Sequence, residues 1–370
     1  MIPENTQQII DAFQLDGTLI YCSPFGEGHI NTTQEIHMRT DSGSIERFVL
    51  QEINTNIFKD PEALSNNIQL VTEFIKQEIF SEGGNPDREA LTLIPTKEHA
   101  YYLEFGASCY RVYKYIEGAS CYQQATPELF YESAKAFGKF AKQLDNFDAT
   151  LVVDTIPNFH NTVDRFKNFQ NSVTRDSLQL AEKYIREIRF VQEREAFCST
   201  ILDAIESGTI PLRVCHNDTK LNNVMIDDKT MKGICVIDLD TVMQGTLLYD
   251  FGDSIRFGAS SAAEDEESLD LVYCDLDKYD LFTKGYIEEC HSILSPNEVT
   301  LLPQAAILMT LECGMRFFAD FLDGDTYFKI HKPNHNLYRA RNQFKLVWDM
   351  EQKLEEMTAI AESYYKQYSR

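Results

Sequence analysis

The fold of this chain is decided by residues 214–226, which read Val-Cys-His-Asn-Asp-Thr-Lys-Leu-Asn-Asn-Val-Met-Ile. Short apolar runs at 212–215 and 223–226 flank the polar centre, a pattern typical of two short strands joined by a loop. A third apolar run, 234–237, leads into Ile-Asp-Leu-Asp at 237–240. The sequence therefore predicts two polar loops that follow strands of one small sheet and face each other.

These loops carry oxygen-bearing side chains at a spacing that suits metal and acid–base chemistry. Asp218 and Asn223 are five positions apart with a turn between them, so both can point into one pocket. An amide oxygen and a carboxylate are ligands suited to Mg²⁺, and a metal-free carboxylate can accept a hydroxyl proton. Turn capping explains any single residue equally well. For the whole set, His216, Asp218, Asn223 and Asp238, we favour a functional site.

The first part of the chain is rich in predicted strands. Alternating apolar residues and turn signals predict strands at 18–25, 34–40, 46–52, 99–105 and 109–116. Between the third and fourth of these, apolar residues recur at steps of three and four over 63–80, which predicts a helix.

Predicted helices dominate after Gly118. They lie at 128–144, 177–190, 194–206, 268–290, 296–322 and 337–368. A small sheet lobe followed by a larger, mainly helical lobe is an α+β arrangement. We therefore predict an N-terminal lobe at 1–115, a C-terminal lobe at 116–370, a hinge at 116–118, and a ligand site in the crevice between the lobes.

Composition excludes several classes of function. The chain has 58 acidic and 34 basic residues among 370, a net charge of −24, which argues against unaided binding to nucleic acid or to an anionic membrane. Its nine cysteines are scattered without a C-x-x-C pair, so a disulfide framework or a zinc site is not expected. No apolar run approaches the ~18 residues of a membrane span. We expect a cytoplasmic protein with a small-molecule substrate.

The loop motifs resemble a known family. His216-x-Asp218-x₄-Asn223, followed by Ile237-Asp238, is similar to the catalytic motifs of protein-kinase-like phosphotransferases in the aminoglycoside/choline kinase branch. The segments HNDTKLNNV, VIDLDTVM, YDFGDSIRFGA and TLECGMRFFADFLDGDTYF closely resemble bacterial N-acetylhexosamine 1-kinases. The likeness runs from about residue 25 to about residue 342.

The resemblance implies a bilobal protein-kinase-like fold and an activity. That activity is ATP- and Mg²⁺-dependent phosphorylation of the anomeric hydroxyl of N-acetylhexosamines. It also implies that Asp218 is the catalytic base, that Asn223 and Asp238 hold Mg²⁺, and that His216 buttresses the loop. Lys220 lies two residues past the base, where a cation stabilises charge on the transferring phosphoryl group; the alternative is a solvated loop lysine.

On the nucleotide side, Gly26-x-Gly28-x-x-Asn31 matches the loop that covers phosphates, although a hairpin turn explains two glycines equally well. Gln51 stands on the third strand where protein kinases carry a lysine, as it does in the sugar 1-kinases. Its amide donates hydrogen bonds without charge, so the contact to the α- and β-phosphates stays unassigned. The adenine edge is expected to meet backbone groups at 113–116, which include Tyr113 and Tyr115.

Sugar recognition needs several hydrogen-bonding groups around the hydroxyls and the acetamido group. The candidates for this role are Asp240, Asp250, Asp253, Arg256, Arg316 and Asp320. If helical, Asp253 with Arg256 and Arg316 with Asp320 share a face, so an intrahelical salt bridge is the alternative for each pair. The alternative role for Asp240 is that of a further metal ligand. The alternative role for Asp250 is to brace the catalytic loop.

Two other functions stay open at this point. One is a kinase of another small alcohol, such as an aminoglycoside, choline or a different sugar. The other is a nucleotide-binding pseudokinase scaffold, which the missing strand lysine allows. The sequence leaves the choice between GlcNAc and GalNAc, the nucleotide preference and the oligomeric state open.

Overall fold

The computed structural model describes residues 5–26 and 30–369, and the chain divides into two compact units. Unit 1 comprises the chain up to Cys121, Asn146–Pro157 and Met225–Gln244. Unit 2 comprises Tyr122–Asp145, Asn158–Val224 and the chain from Gly245 onward. Both units are discontinuous, whereas the two predicted lobes are each one continuous stretch of chain, so the boundary between residues 115 and 116 stays a prediction.

Unit 1 contains an antiparallel sheet with the strand order β1-β2-β3-β6-β4, in which β5 also pairs with β6. Its strands are β1 (Thr18–Pro24), β2 (Thr32–Arg39), β3 (Ile45–Ile53), β4 (Leu93–Ile94), β5 (Leu103–Phe105) and β6 (Ser108–Lys114). In the register of β3 and β6, Gln51 lies opposite Arg111. The sheet therefore places Arg111 next to Gln51, the residue that stands where protein kinases carry a lysine.

The helices of unit 1 are α1 (Thr6–Ile10), α2 (Pro61–Ser81) and α3 (Pro86–Glu89). Helix α2 begins where the sequence provides a cap, because the side chain of Asp60 accepts a hydrogen bond from the N–H of Ala63 and Pro61 occupies the first turn. Its predicted apolar stripe, including Leu64 and Ile68, is buried. The predicted helix at 63–80 is confirmed.

A second, three-stranded sheet has the order β10-β9-β7. Its strands are β7 (Ala119–Ser120), β9 (Val224–Asp227) and β10 (Gly233–Val236); β8 (Arg213–Cys215) and β11 (Met243–Gly245) belong to a different sheet. The predicted strands at 212–215, 223–226 and 234–237 are confirmed. Their membership of one sheet is wrong, because β7 pairs with β9 instead of β8.

Unit 2 is mainly helical. Its helices are α4 (Pro127–Gln143), α5 (Thr162–Arg175), α6 (Ile185–Gln192), α7 (Thr200–Glu206), α8 (Leu247–Gly258), α9 (Leu276–Cys290), α10 (Pro296–Leu322), α11 (His335–Gln352) and α12 (Leu354–Tyr368). Helix α10 has the predicted bounds, because Ser295 is its N-cap and forms a capping box with Glu298. The predicted α+β class is confirmed.

Several predicted elements differ in detail. The segment at 177–190 is helical only from Ile185, because the Asp176 side chain accepts N–H groups of residues 180 and 181 and competes with the helix. The helix at 337–368 is interrupted at Lys353. The first strand residues at 99–102 are lost because His99 adopts a φ of 66°. Helix α5 was not predicted, since its buried face includes Thr162 and a serine as well as aromatics.

Among the described residues, no helix combines the length and the apolar character that crossing a bilayer requires.

Candidate active site

The predicted catalytic loop follows β8 and is held by a buried carboxylate. Asp250, in α8, accepts hydrogen bonds from the backbone N–H groups of His216 at 3.0 Å and Asn217 at 2.7 Å. The hydroxyl of Thr219 donates to the carbonyl oxygen of Asp250. Asn217 has a φ of 64°, in the left-handed region that Asn tolerates better than most residues. Asp250 thus braces the loop, the alternative that the sequence left open for it.

His216 shapes the same turn from inside unit 2. Its side chain is fully buried, and its ring packs edge-on against Phe137 and Phe140, with centroids 5.6 and 6.0 Å away. Its Nδ1 accepts a hydrogen bond from the backbone N–H of Asp218 at 3.2 Å. A histidine fixed in this way is suited to positioning Asp218, the structural role that the resemblance implies.

Asp218 and Lys220 form an ion pair at the end of this loop. Lys220 Nζ lies 2.6 Å from Asp218 Oδ1, and the two side chains are 31% and 26% exposed. Burial raises the pKa of Asp218, but Lys220, with further contributions from His216 and Arg256, lowers it below the usual range of a carboxyl. Asp218 is therefore ionised, as a proton acceptor must be. Lys220 is not simply a solvated loop lysine, because its ammonium group pairs with this carboxylate.

Asp253 and Arg256 of α8, which are predicted to bind sugar, interact electrostatically with the pair of Asp218 and Lys220. Burial opposes the charge of Lys220, but the carboxylates of Asp218 and Asp253 raise its pKa. Asp253 Oδ1 accepts a hydrogen bond from Arg256 Nε at 2.8 Å, and Arg256 Nη1 donates to Glu264 at 2.9 Å. The salt-bridge alternative for Asp253 and Arg256 is thus realised. The buried Oδ2 of Asp253, however, has no hydrogen-bond donor among the described residues.

Arg316 and Asp320 do not behave as a pair. The guanidinium of Arg316, which is half-buried, lies 5.5 Å from the ring centre of Phe328. Asp320 accepts the backbone N–H groups of residues 326–328, at 2.8–2.9 Å, and a hydrogen bond from Asn336. Asp320 therefore shapes the turn after α10, while the predicted contact of Arg316 with sugar stays a prediction.

A histidine that the sequence analysis missed also supports the catalytic loop. His160 Nε2 lies 2.9 Å from the carbonyl oxygen of Asn217, and Nδ1 lies 3.1 Å from Glu312 Oε1. Thr162 donates to the other Glu312 oxygen at 2.6 Å. Burial opposes protonation, but Glu312 and the Asn217 carbonyl raise the pKa of His160 above its usual value. No local motif signals this contact, because its partners are 57 and 152 positions away.

Asn223 ends a short 3₁₀ helix (Leu221–Asn223) and is 5% exposed. Its amide nitrogen donates to the carbonyl oxygen of Asp218 at 2.8 Å. The nitrogen is thereby engaged in the loop, so the amide oxygen is the atom of Asn223 that can ligate a cation.

In unit 1, the second acidic loop begins just after β10. Asp238 adopts a φ of 59° and a ψ of 55° and starts a 3₁₀ helix, Leu239–Thr241. Left-handed backbone at an exposed Asp costs energy and occurs preferentially at functional sites. Asp240 is 4% exposed and accepts hydrogen bonds from Arg111 and, at 2.6 Å, from Asn31. Its predicted contact with sugar stays a prediction.

Gln51 is clamped between two neighbours in the sheet. Its Nε2 donates to Thr33 at 3.0 Å, and its Oε1 accepts Nε and Nη2 of Arg111 at 2.9 and 2.6 Å. Arg111 is the residue that sequence reasoning missed here. Its role arises from strand register, for which one arginine in a strand of alternating residues gives no signal.

The predicted phosphate loop is only partly described. Gly26 has a φ of 76°, a conformation that glycine adopts without strain, and Gly28 lies outside the described residues. Asn31 accepts the N–H of Asn54 at 2.9 Å through Oδ1 and donates to Asp240 through Nδ2. The end of this segment is therefore fixed to the acidic loop of unit 1.

Tyr113 and Tyr115 lie at and just beyond the end of β6. The Tyr115 N–H donates to the carbonyl oxygen of Arg47 at 3.2 Å, and the Arg47 guanidinium lies 3.9 Å from the Tyr115 ring centre. Tyr113 is buried, and burial raises the pKa of its hydroxyl. Since the Tyr115 N–H is used within unit 1, the predicted adenine contacts at 113–116 would come from other backbone groups.

The oxygen donors present fit Mg²⁺ better than a soft metal. Asn223 offers an amide oxygen and Asp238 a carboxylate, and both are hard ligands. Within the part of the chain that the structure describes, no three His, Cys, Asp or Glu side chains are arranged to hold a metal ion. Mg²⁺ commonly takes only one or two oxygens from a protein and completes its shell with phosphate and water.

Solved structures with the same fold include three small-molecule phosphotransferases, each 12% identical to this chain. Amicoumacin kinase hAmiN, solved in complex with AMP-PNP, Ca²⁺ and Ami, gives a TM-score of 0.59 over 96% of this chain and 93% of its own. An aminoglycoside phosphotransferase from Alicyclobacillus acidocaldarius gives 0.56 over 99% and 97%. An ethanolamine kinase from Plasmodium vivax gives 0.53 over 87% and 82%. The fold is therefore that of the protein-kinase-like phosphotransferases.

The sequence itself matches a family. The phosphotransferase enzyme family, APH, matches residues 89–281, which is more than half of the 370 residues. This match includes the loop with Asp218 and Asn223, the loop with Asp238, and helix α8. The chain belongs to the APH phosphotransferase enzyme family.

Proposed function

We propose that the protein transfers the γ-phosphoryl group of ATP to the anomeric hydroxyl of N-acetylhexosamines and releases ADP and the sugar 1-phosphate. The observation that carries this proposal lies in unit 2. An ionised, lysine-paired Asp218 sits on a braced loop, and the buried Asp253 Oδ2, with no donor among the described residues, belongs to the same charged neighbourhood. A base and an unsatisfied acceptor that both act on Lys220 suit a polyhydroxylated substrate.

In the proposed reaction Asp218 receives the proton of the 1-hydroxyl as the sugar oxygen bonds to the γ-phosphorus and the bond to the β-phosphate oxygen breaks. The lowered pKa of Asp218 keeps it ionised at neutral pH. The proton then passes from Asp218 to solvent.

Three further residues of unit 2 support the base in this proposal, two by positioning it and one by its charge. Asp250 and His216 hold the backbone around Asp218, so the base does not have to be ordered when substrate binds. Lys220 supplies a positive charge next to the base, where charge on the transferring group is to be stabilised. Catalysis is then mostly positioning and electrostatics.

We assign Asn223 and Asp238 as the ligands of Mg²⁺, which supplies charge neutralisation for the phosphates when bound. In the same proposal the nucleotide is bound by two segments. The phosphates meet the loop with Gly26, Gly28 and Asn31, and the adenine meets the backbone around Tyr113 and Tyr115.

For the sugar, Asp253 Oδ2 is the acceptor that a hydroxyl or the acetamido N–H would meet. Arg256 fixes the orientation of Asp253 through the 2.8 Å hydrogen bond to Oδ1. Arg316 and Asp240 are the remaining candidates. A site that hydrogen-bonds its substrate discriminates strongly against analogues that lack the group, because the buried acceptor is then left unpaired.

The experiment is an ADP-release screen of the purified protein with Mg²⁺-ATP over GlcNAc, GalNAc, unmodified hexoses, choline and aminoglycosides. Release with GlcNAc or GalNAc above the other acceptors supports the proposal. Release with an aminoglycoside or choline alone would show that the proposed substrate is wrong and that the phosphotransferase activity is right. Nucleotide binding without turnover of any alcohol would favour a scaffold.

A further inference from the structure

Arg111 has a donor group that the protein does not use. Its side chain is 1% exposed, and Nε and Nη2 donate to Gln51 and Asp240. Nη1 is buried and finds no acceptor among the described residues. An arginine carries five N–H donors in a fixed plane, and the two on Nη1 are left over.

Leaving these two buried N–H groups without an acceptor costs free energy. A buried donor without an acceptor loses its hydration and gains nothing in return, and the large majority of buried side-chain polar atoms have a partner. Burial also opposes the charge of Arg111, which Asp240 and, further off, Asp238 favour. An oxygen acceptor that arrives with a bound ligand would recover this cost through a charge-assisted hydrogen bond.

The surroundings of Nη1 indicate which ligand this is. Asp240 binds both Arg111 and Asn31, the last residue of the proposed phosphate loop. Asp238, the proposed Mg²⁺ ligand, is within electrostatic reach of the guanidinium. The spare donors thus belong to the same cluster of unit 1 as Asn31 and a carboxylate suited to the metal that accompanies phosphates.

We propose that Arg111 contacts the phosphate groups of the bound nucleotide through Nη1, and so supplies from β6 the positive charge that Gln51 cannot supply from β3. This inference rests on the proposed function, since it concerns the nucleotide of the same site. A guanidinium suits this task because it stays charged when buried and each N–H of Nη1 can donate to a phosphate oxygen.

Gln51 has a defined part in this arrangement. Its amide oxygen accepts two N–H groups of Arg111, while its amide nitrogen is anchored on Thr33. Gln51 is therefore a positioning residue that turns the guanidinium so that Nη1 faces away from the protein acceptors. A lysine at residue 51 would instead place a second cation against Arg111.

The test compares ADP with adenosine, because only ADP carries phosphates. Dissociation constants of both ligands, with Mg²⁺ present, are measured by calorimetry for the wild type, Arg111→Met and a matched control, Arg88→Met. Arg88 is an arginine of the same unit, ion-paired with Asp227 at 2.9 Å. We expect Arg111→Met to weaken ADP about 10- to 100-fold, the strength of one charge-assisted hydrogen bond, and to leave adenosine unchanged. Arg88→Met should change neither.

Two double variants guard against a merely structural effect. Arg111→Met with Asp240→Asn removes both buried charges and should still lose ADP selectively. Arg111→Met with Gln51→Lys returns a cation from β3 and should recover at least part of the ADP affinity. Equal losses for ADP and adenosine, or unchanged ADP affinity in folded Arg111→Met with Asp240→Asn, would overturn the inference.

Failure of the proposed function gives a different pattern. A wild type that releases no ADP with any hexosamine overturns the substrate, while the ratio of ADP to adenosine affinity still decides the role of Arg111. A wild type that binds neither ligand overturns both.

Discussion

Arg111 and Asp240 lie 129 positions apart in the sequence, yet they form a buried ion pair, with 1% and 5% of their side chains exposed. Asp240 uses its second oxygen to hold Asn31 at 2.6 Å. One carboxylate thus connects β6, the acidic loop and the segment after the glycines. Because Arg111 and Asp240 are both removed from water, the pair is sensitive to the loss of either charge.

Asp240→Asn should lower the thermal midpoint of unfolding markedly, because it leaves the Arg111 charge buried without its partner. Removing one member of a buried pair costs about 3–5 kcal/mol. Asp87→Asn is the control: its pair with Lys114 is long, 3.7 Å, and exposed, and such pairs contribute about 0–1 kcal/mol. The measurement is differential scanning calorimetry. Equal midpoints for the two variants would show that the Arg111–Asp240 pair does not stabilise the fold.

Asp218→Asn should lower kcat roughly 10²–10⁴-fold, the range for loss of a general base, while Mg²⁺-ATP affinity changes little. The substitution keeps the size of the side chain and removes the proton acceptor. Initial rates of ADP release and nucleotide binding by calorimetry measure the two quantities. Asp203→Asn, on α7 of the same unit, is the matched surface control. Wild-type turnover by Asp218→Asn would remove Asp218 from the mechanism.

Asp238→Ala should weaken Mg²⁺-ATP binding and abolish turnover together, because this carboxylate is proposed to hold the ion that accompanies the phosphates. Removal of Mg²⁺ from the wild type with EDTA should reproduce both effects, and added Mg²⁺ should reverse them. Asp228→Ala, an exposed carboxylate on the turn after β9, should behave as wild type. If affinity and rate survive in Asp238→Ala, the ligand assignment is wrong, and Asp240 is the next residue to test.

How much of this could be predicted from the sequence depends on whether the signal is local. Helix α2 was predicted because it has a cap, a proline in the first turn and an apolar stripe. The strands around Asp218 were predicted because polar loops interrupt apolar runs. By contrast, residues 177–184 have the apolar period of a helix but do not form one. The side chain of Asp176 accepts backbone N–H groups there and stabilises a turn instead.

The contacts that support the site are largely non-local and for that reason were missed. His160 reaches Glu312 across 152 positions, and Arg111 reaches Gln51 through the register of β3 and β6. Neither residue belongs to a spaced motif. Asp250 was recognised only as one of two alternatives, since the same position in α8 suits a sugar ligand and a loop brace.

The buried contact of His160 with Glu312 predicts a pH-dependent stability. The folded-state pKa of His160 is raised, so its contribution is complete below the ordinary histidine value of about 6.5 and is lost as pH rises through the raised value. The pKa of Glu312 is lowered, so its contribution is present above about 4.3 and is lost as pH falls through the lowered value. The contact is therefore strongest at about pH 5–6.5.

His160→Gln should accordingly lose more stability at about pH 6 than at about pH 9. Thermal midpoints of wild type and variant in matched buffers give this difference. Glu312→Gln should abolish the pH dependence of the His160 effect, since it removes the charge that favours the imidazolium. A deficit of the same size at both pH values would show that His160 acts only through packing.

The position of phosphorylation is tested with a substrate that lacks the reacting group. A kinase of the anomeric hydroxyl should phosphorylate GlcNAc or GalNAc and reject the 1-O-methyl glycoside, which has no hydroxyl at that carbon. A kinase of the 6-hydroxyl should accept both, because its reacting group is untouched. The glycoside keeps the acetamido group, so loss of activity would not reflect loss of that contact. The added methyl group can clash with the pocket, so the product of the free sugar is also identified by ³¹P NMR. Sugar 6-phosphate, or brisk turnover of the glycoside, would contradict the 1-kinase proposal and leave the phosphotransferase fold in place.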